Sequence, residues 1–379
     1  MALAPKIMDE NGGIHIKNPG RNRIWTRMLK LTGGHGDPEG RTVDMKRRRT
    51  AAWILALLSP TIAELLSGSS PPLEFFNPVM FAGLLGMYGA GVLVVRELAT
   101  SWGKGWASVL VLGVAYAIAE EGLACKSFFD PGWADLGDLA TYGRFWSVNW
   151  VWTVWLVVYH AVISISLPIL ISQLLYPEFN RKRLLSERQF KVVFWIFWID
   201  IAVFALAFGT NYLPPAAQYL LAMAAVVGLF AYARRVPDGL VSASHIFPSW
   251  KKGRIISPGL KTCATGFLFI FSNFLAASGS FTRCLNPVLT ILLLFAIAAG
   301  TMLLLRHRLG VRENDLLKAY LAVGLLSFLI LLSLILGFAA GVFGMGFVGI
   351  AFIAFSFYFV HAVRVRTGSP KNPSPGVSK

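Results

Sequence analysis

Charge is scarce in this 379-residue chain, with Asp, Glu, Lys and Arg making up 14% of it. A soluble domain carries about a quarter, so a molecular surface bathed in water on all sides is excluded. Cysteine is scarcer still: three residues are too few for a disulfide framework or a Cys-rich zinc centre. There is no His-Glu-x-x-His pair and no paired-Cys motif, so a compact local metal motif is also absent. No internal repeat is visible, and an inverted-repeat transporter gains no support from sequence symmetry. Acid is the rarer sign, with 19 Asp and Glu against 35 Lys and Arg.

Apolar residues are plentiful, at 55%. They gather into ten runs, at 51–67, 79–95, 106–124, 149–175, 191–209, 213–233, 262–280, 285–305, 316–336 and 341–363. About 20 residues in a helix cross about 30 Å of hydrocarbon. The pattern predicts an all-α, polytopic transmembrane helix bundle of about ten spans. The first two runs are short, and Pro60 interrupts the first. The 28 Phe and 12 Trp suit lipid-facing surfaces and interfacial belts.

The loops test the count independently. With the N-terminus inside, all Lys and Arg but Lys126, Arg144 and Arg283 fall in cytoplasmic segments. The positive-inside rule predicts such asymmetry. Both termini are therefore expected in the cytoplasm, and a plasma-membrane, multi-pass location follows. The net charge of +16 then belongs to loops that touch anionic lipid heads, and nucleic acid is not an expected partner. Residues 1–50 read as a basic, disordered cytoplasmic tail rather than a signal peptide. Residues 51–363 read as the membrane domain, with an external loop at 125–148, and 364–379 as a second disordered tail. Cys125 and Cys284 both fall outside, so topology permits an external bridge between them, with the distance not fixed by the sequence.

Ionisable residues inside apolar runs carry the functional reading, since they usually face a cavity or a partner. Glu120 and Glu121 end the run Val109–Ala119, roughly 21 Å along its helix. His160 lies about 16 Å from the outer end of the next span, and Glu64 and Asp200 reach similar depths in spans one and five. Each alone has a plain structural reading: Glu64 reaching headgroups, Asp200 bonded to a neighbouring helix, His160 bonded to Ser164. The paired glutamates are harder to dismiss, because neighbours on a helix point about 100° apart. Lys126 lies close enough to pair with Glu121. Trp133, Arg144, Asn149 and Asn211 map to the same side as candidate substrate-binding residues, with Arg144 suited to a carboxylate or a phosphate. The aromatic loop 125–148 suits either a lid or an interfacial belt.

Two carboxylates and an imidazole can ligate a divalent metal, zinc for instance, and leave a position open for water. A Glu-Glu pair late in one span followed by a His inside the next resembles the CAAX-processing and bacteriocin-processing (CPBP) intramembrane proteases. The resemblance implies that Glu120, Glu121 and His160 activate a water for peptide hydrolysis, with Asn211 as the later polar position. Cys125 stands where that family carries an Arg, and no second His falls in spans five to nine. Two other classes use the same residues. A proton- or cation-coupled transporter would line a path with midplane acids and a His. A lipid-modifying enzyme of the outer leaflet would set Arg144 or Arg283 on a headgroup.

Overall fold

In a computed structural model, residues 7–8, 14–15, 38–209, 212–237, 258–278, 285–308 and 314–368 are described. Ten helices are long and apolar enough to cross a membrane: Thr42–Leu66, Pro78–Ser101, Trp106–Ala124, Trp150–Leu175, Glu187–Ala207, Ala216–Arg235, Pro258–Ala277, Pro287–Leu305, Asp315–Ala339 and Met345–Gly368. They are numbered here as spans one to ten, and the expected all-α bundle is the observed class. Asn211, Arg283 and Cys284 lie outside the described residues, so the sequence expectations resting on them do too.

The chain divides into two compact units, Met1–Arg48 and Arg49–Lys379. In the first, Ile7–Met8 pairs antiparallel with Ile14–His15. The helix leading into span one runs Pro38–Pro60. It starts earlier than the apolar run, because neither Gly nor Pro interrupts the polar stretch from Arg41 to Arg49 and basic residues are good helix formers.

Within the second unit the spans differ sharply in how far they are enclosed. Span three is 72% buried and span four 67%, against 11% for spans five and eight. Spans three and four are thus interior to the bundle, and five and eight form its periphery. Two apolar cores organise it. One joins Ala63 and Leu65 of span one to Tyr88, Val92, Leu112 and Tyr116. The other joins Ile62 and Leu66 to Ile163, Leu167, Leu326 and Phe359. Span one thus contributes to both cores, with Glu64 between Ala63 and Leu65 of the first.

Lipid is as apolar as leucine, so helices in a membrane are held by close packing rather than by transfer out of water. Gly113 shows how this brings spans three and four together: a Cβ there would lie 2.9 Å from the Ala161 Cα. That approach, one residue from His160, sets the imidazole against span three.

Asn149 begins span four. Its Oδ1 accepts from the Trp152 N–H at 3.0 Å, and its Nδ2 donates to the Leu139 carbonyl. This is an N-cap, which provides an acceptor for a helix-end amide that has no partner within its own helix. Just before it, Arg144–Phe145 pairs with Val148–Asn149 in a two-residue hairpin. Trp146 and Ser147 turn it with φ of 51° and 58°, the two positive angles that a type I′ turn requires.

Candidate functional site

Five π-helical turns interrupt the described spans, at Thr61–Leu66, Leu85–Gly89, Ile118–Ala124, His160–Ser166 and Ile335–Ala339. The first four carry Glu64, Tyr88, Glu120 with Glu121, and His160 with Ser164. π-Bulges are uncommon and recur at functional sites, because the extra residue re-aims a side chain without ending the helix. Here four of them, on four consecutive spans, converge on one polar cluster.

His160 is its centre. Its Nε2 lies 3.0 Å from Glu121 Oε1, and its Nδ1 lies 3.1 Å from Glu120 Oε2. The two neighbouring glutamates thus meet the two edges of one ring, which answers how side chains about 100° apart can share a partner. Nδ1 also lies 3.0 Å from Ser164 Oγ, and the Ser164 carbonyl accepts from Ser59 Oγ at 2.6 Å. Ser164 therefore fixes the ring on one side, as an outer partner of a ligating histidine does. Glu120 Oε2 is buried and accepts no aligned hydrogen bond among the described residues.

Hydroxyls surround the acids. Ser127 donates to Glu121 Oε2, and the Trp152 indole N–H holds Ser127 at 3.2 Å. Tyr88 donates to Glu64 Oε1, and Ser70 donates to Glu64 Oε2 at 2.8 Å. The Tyr116 hydroxyl is buried and has no hydrogen-bond partner among the described residues. The rings of Tyr88, Tyr116 and Tyr159 stand 6.2, 6.3 and 5.3 Å from the imidazole centroid, so aromatic walls exclude bulk water. The Glu120 and His160 side chains are each 3% exposed and that of Glu121 is 12% exposed, so the cluster is most open on its Glu121 side.

One ligand atom from each of Glu120, Glu121 and His160 lies within 4.8 Å of the others. Two carboxylates and one imidazole are donor types that zinc takes; Glu120 and Ser164 share the Nδ1 edge of the ring, and Glu121 meets the Nε2 edge. Beyond the end of span three, burial and the Glu121 and Glu120 carboxylates push the Cys125 thiol well up. A protonated thiol is a poor ligand and a poor nucleophile, so Cys125 is not counted among the donors.

Several sequence-predicted partners lie elsewhere. Lys126 does not pair with Glu121; its Nζ donates to the Ala205 carbonyl at 2.5 Å, tying the loop to span five. Arg144 braces the loop, donating to the carbonyls of Phe129 at 2.7 Å and Ala140 at 3.2 Å. The Trp133 indole donates to Asp135 at 3.1 Å within the same loop. Asp200 faces Gly86 of span two, where a Cβ would lie 2.8 Å from its Cγ, and it is not among the three grouped donors. Glu64, by contrast, turns inward to Tyr88 and Ser70. Tyr88 and Ser127 were not singled out from sequence. A lone tyrosine within the Gly86–Gly91 segment was the available signal for Tyr88.

The architecture and the cluster define a polytopic membrane protein with an intramembrane carboxylate–histidine site. The chain belongs to a family described as an uncharacterized membrane protein family, whose model matches residues 53–369. No curated protein and no solved structure matches it. None of these comparisons shows a resemblance to CPBP proteases.

Proposed function

We propose that the protein is a metal-dependent intramembrane hydrolase with Glu120, Glu121 and His160 as the ligands of a divalent ion such as zinc. The carrying observation is a charge imbalance. Three carboxylates, Glu64, Glu120 and Glu121, gather around a single imidazole, and the ion pairs of Glu120 and Glu121 among the described residues are to His160 alone. With all three ionised, even a doubly protonated ring leaves negative charge in excess inside an apolar bundle, where unpaired charge is costly, so either a cation or bound protons must answer it. A neutral ring leaves one nitrogen lone pair facing a carboxylate oxygen, an arrangement that a cation between them relieves. When bound, such an ion lowers the pKa of a coordinated water and makes it a nucleophile near neutral pH.

The residues of the chain do the rest. Ser164 orients the imidazole, and Ser127 with Trp152 holds Glu121 from the loop. The aromatic rings keep water out, and the partial exposure of Glu121 marks the side from which substrate enters. With the Arg-rich loops in the cytoplasm, that side faces outward. The substrate class that fits is a membrane-resident peptide or lipid, since the site lies within the spans rather than above them.

Purified protein tests this by its metal content, alone and as Glu120→Gln, Glu121→Gln and His160→Ala. Stoichiometric zinc in the wild type, lost in all three variants, is the expected result. Metal-free protein that drives proton- or ion-dependent flux in liposomes would replace the hydrolase by a transporter, because bound protons also answer the charge imbalance. Metal and flux unchanged in every variant would remove the site altogether.

A further inference from the structure

Span three ends at Ala124, and the chain turns back at once over its own last acids. The turn is made at Lys126, whose φ is 64°. That is the left-handed region, which residues other than glycine rarely adopt. The reversal lays Ser127 on the site: its hydroxyl donates to Glu121 Oε2, while Glu121 Oε1 faces His160 Nε2 at 3.0 Å. Ser127 is fully buried, and the Trp152 indole N–H donates to its Oγ at 3.2 Å. From the span-four side, the Asn149 N–H also donates to the Phe128 carbonyl at 2.9 Å. On the span-five side Lys126 is itself the fastener. It is buried, and its Nζ donates to the Ala205 carbonyl at 2.5 Å. An ammonium that left this turn would lose its acceptor, and a buried donor without one is costly.

We propose that Lys126 is a positioning residue of this site: its bond to Ala205 holds the left-handed turn that lays Ser127 on Glu121, and so fixes the carboxylate that faces His160. This rests on the cation-site reading above, with Glu121 as a ligand. Lys126 is not among the three grouped donors and acts through Ser127. The peripheral span five thereby takes part in shaping a site whose ligands all lie on spans three and four.

Zn²⁺ titration of the full chain in detergent, read by calorimetry, separates this tether from plain packing. Ser127→Ala removes the donor and is expected to weaken Zn²⁺ binding about 10- to 100-fold, the usual cost of losing an outer-sphere partner. Lys126→Met keeps a long side chain but loses the bond to Ala205, and a similar loss is expected. Lys126→Gly loses the same bond and the whole side chain, yet glycine takes a positive φ without steric cost. Its affinity is expected to stay close to the wild type's. Adding Lys126→Met to Ser127→Ala is expected to weaken binding no further, because both changes act on one hydroxyl.

A packing role for Lys126 reverses the order of its two variants, since glycine leaves the larger void. Weaker binding by Lys126→Gly than by Lys126→Met therefore overturns the proposal. So does a double variant weaker than Ser127→Ala, or wild-type affinity in either Ser127→Ala or Lys126→Met. If Lys126→Met fails to fold, Lys126→Gly decides: affinity lost in it overturns the proposal, and affinity kept beside the loss in Ser127→Ala supports it. No Zn²⁺ binding by the wild type would overturn the cation reading and this inference together. Binding by the wild type with any of the overturning results above removes the inference only.

Discussion

Two carboxylate clusters lie inside this bundle, one beside Tyr88 in the middle of span two and one at Glu97 near its end, and they are built on opposite principles. At the Arg-rich end, Glu97 is fully buried and saturated. Its Oε1 accepts from Arg96 Nη1 at 2.5 Å and from the Leu184 N–H at 2.8 Å. Its Oε2 accepts from Arg183 Nε and the Leu185 N–H, both at 3.3 Å. Arg96 in turn donates to the carbonyls of Phe179 at 2.5 Å and Lys182 at 2.7 Å. Two guanidinium groups and two amides thus clamp the connector between spans four and five onto span two. In the mid-span cluster, Glu120 has no aligned donor on Oε2 and no arginine or lysine as ion-pair partner among the described residues.

The difference separates structural charge from functional charge. A buried acid that serves the fold is supplied with every donor it can take, because each missing one is costly. An acid left short of donors holds its lone pairs for something that the chain itself does not provide. Burial alone would have ranked the two alike. The count of donors, not the depth, is what sets Glu120 apart from Glu97.

The largest break in this comparison comes from removing Glu97. Glu97→Ala leaves Arg96 buried without its carboxylate, and losing one partner of a buried pair costs about 3–5 kcal/mol. The expected outcome is a large fall in melting temperature, or loss of monodisperse protein, on heating in detergent. Glu120→Gln is expected to do the reverse: melting temperature unchanged or raised, with metal binding lost. Functional acids are often held at the expense of stability. A melting temperature lowered as much by Glu120→Gln as by Glu97→Ala would erase the distinction.

Gly113 gives the next effect. A bulkier residue there meets the Ala161 backbone at 2.9 Å, and overpacking costs about 1–3 kcal/mol. Gly113→Val is expected to lower stability by that order and to displace His160 from the glutamates, so that metal binding falls although no ligand has changed. Metal affinity held at the wild-type value would show that the spacing of spans three and four does not set the site.

The sequence already showed the parts of this picture that are local. Ten apolar runs correspond to ten spans because hydropathy is additive along a chain. Glu120, Glu121 and His160 were visible because charge inside such a run is conspicuous. The cap made by Asn149 was also within reach, as Asn directly before an apolar helix is a starting signal, although the residue was read as a binding group. Which spans face one another was not legible. Lys126 sits near Glu121 in sequence, yet it turns to Ala205, and Glu64 meets Tyr88 across 24 residues. Nor were the π-turns, which depend on side chains from several spans seating the extra residue at once.

The smallest effects test the Glu97 cluster at its rim. Arg183 bonds Glu97 at 3.3 Å and Glu187 at 2.7 Å, with its own side chain 30% exposed. Arg183→Ala removes one of two cations from a buried acid that keeps Arg96 and both amides, so about 1 kcal/mol is expected, the usual worth of one such bond. Glu187→Ala cuts only the pair one helical turn along, where the Glu187 side chain is 66% exposed. Water and salt screen that contact, and exposed pairs at this spacing are worth about 0.3–0.5 kcal/mol. A melting curve for Glu187→Ala close to the wild type's, beside a measurable drop for Arg183→Ala, would show that the connector is held by Glu97 from within and not by its surface charges. Equal drops would move the clamp outward, to the Arg183–Glu187 pair, and leave the saturated interior acid without a fold to hold.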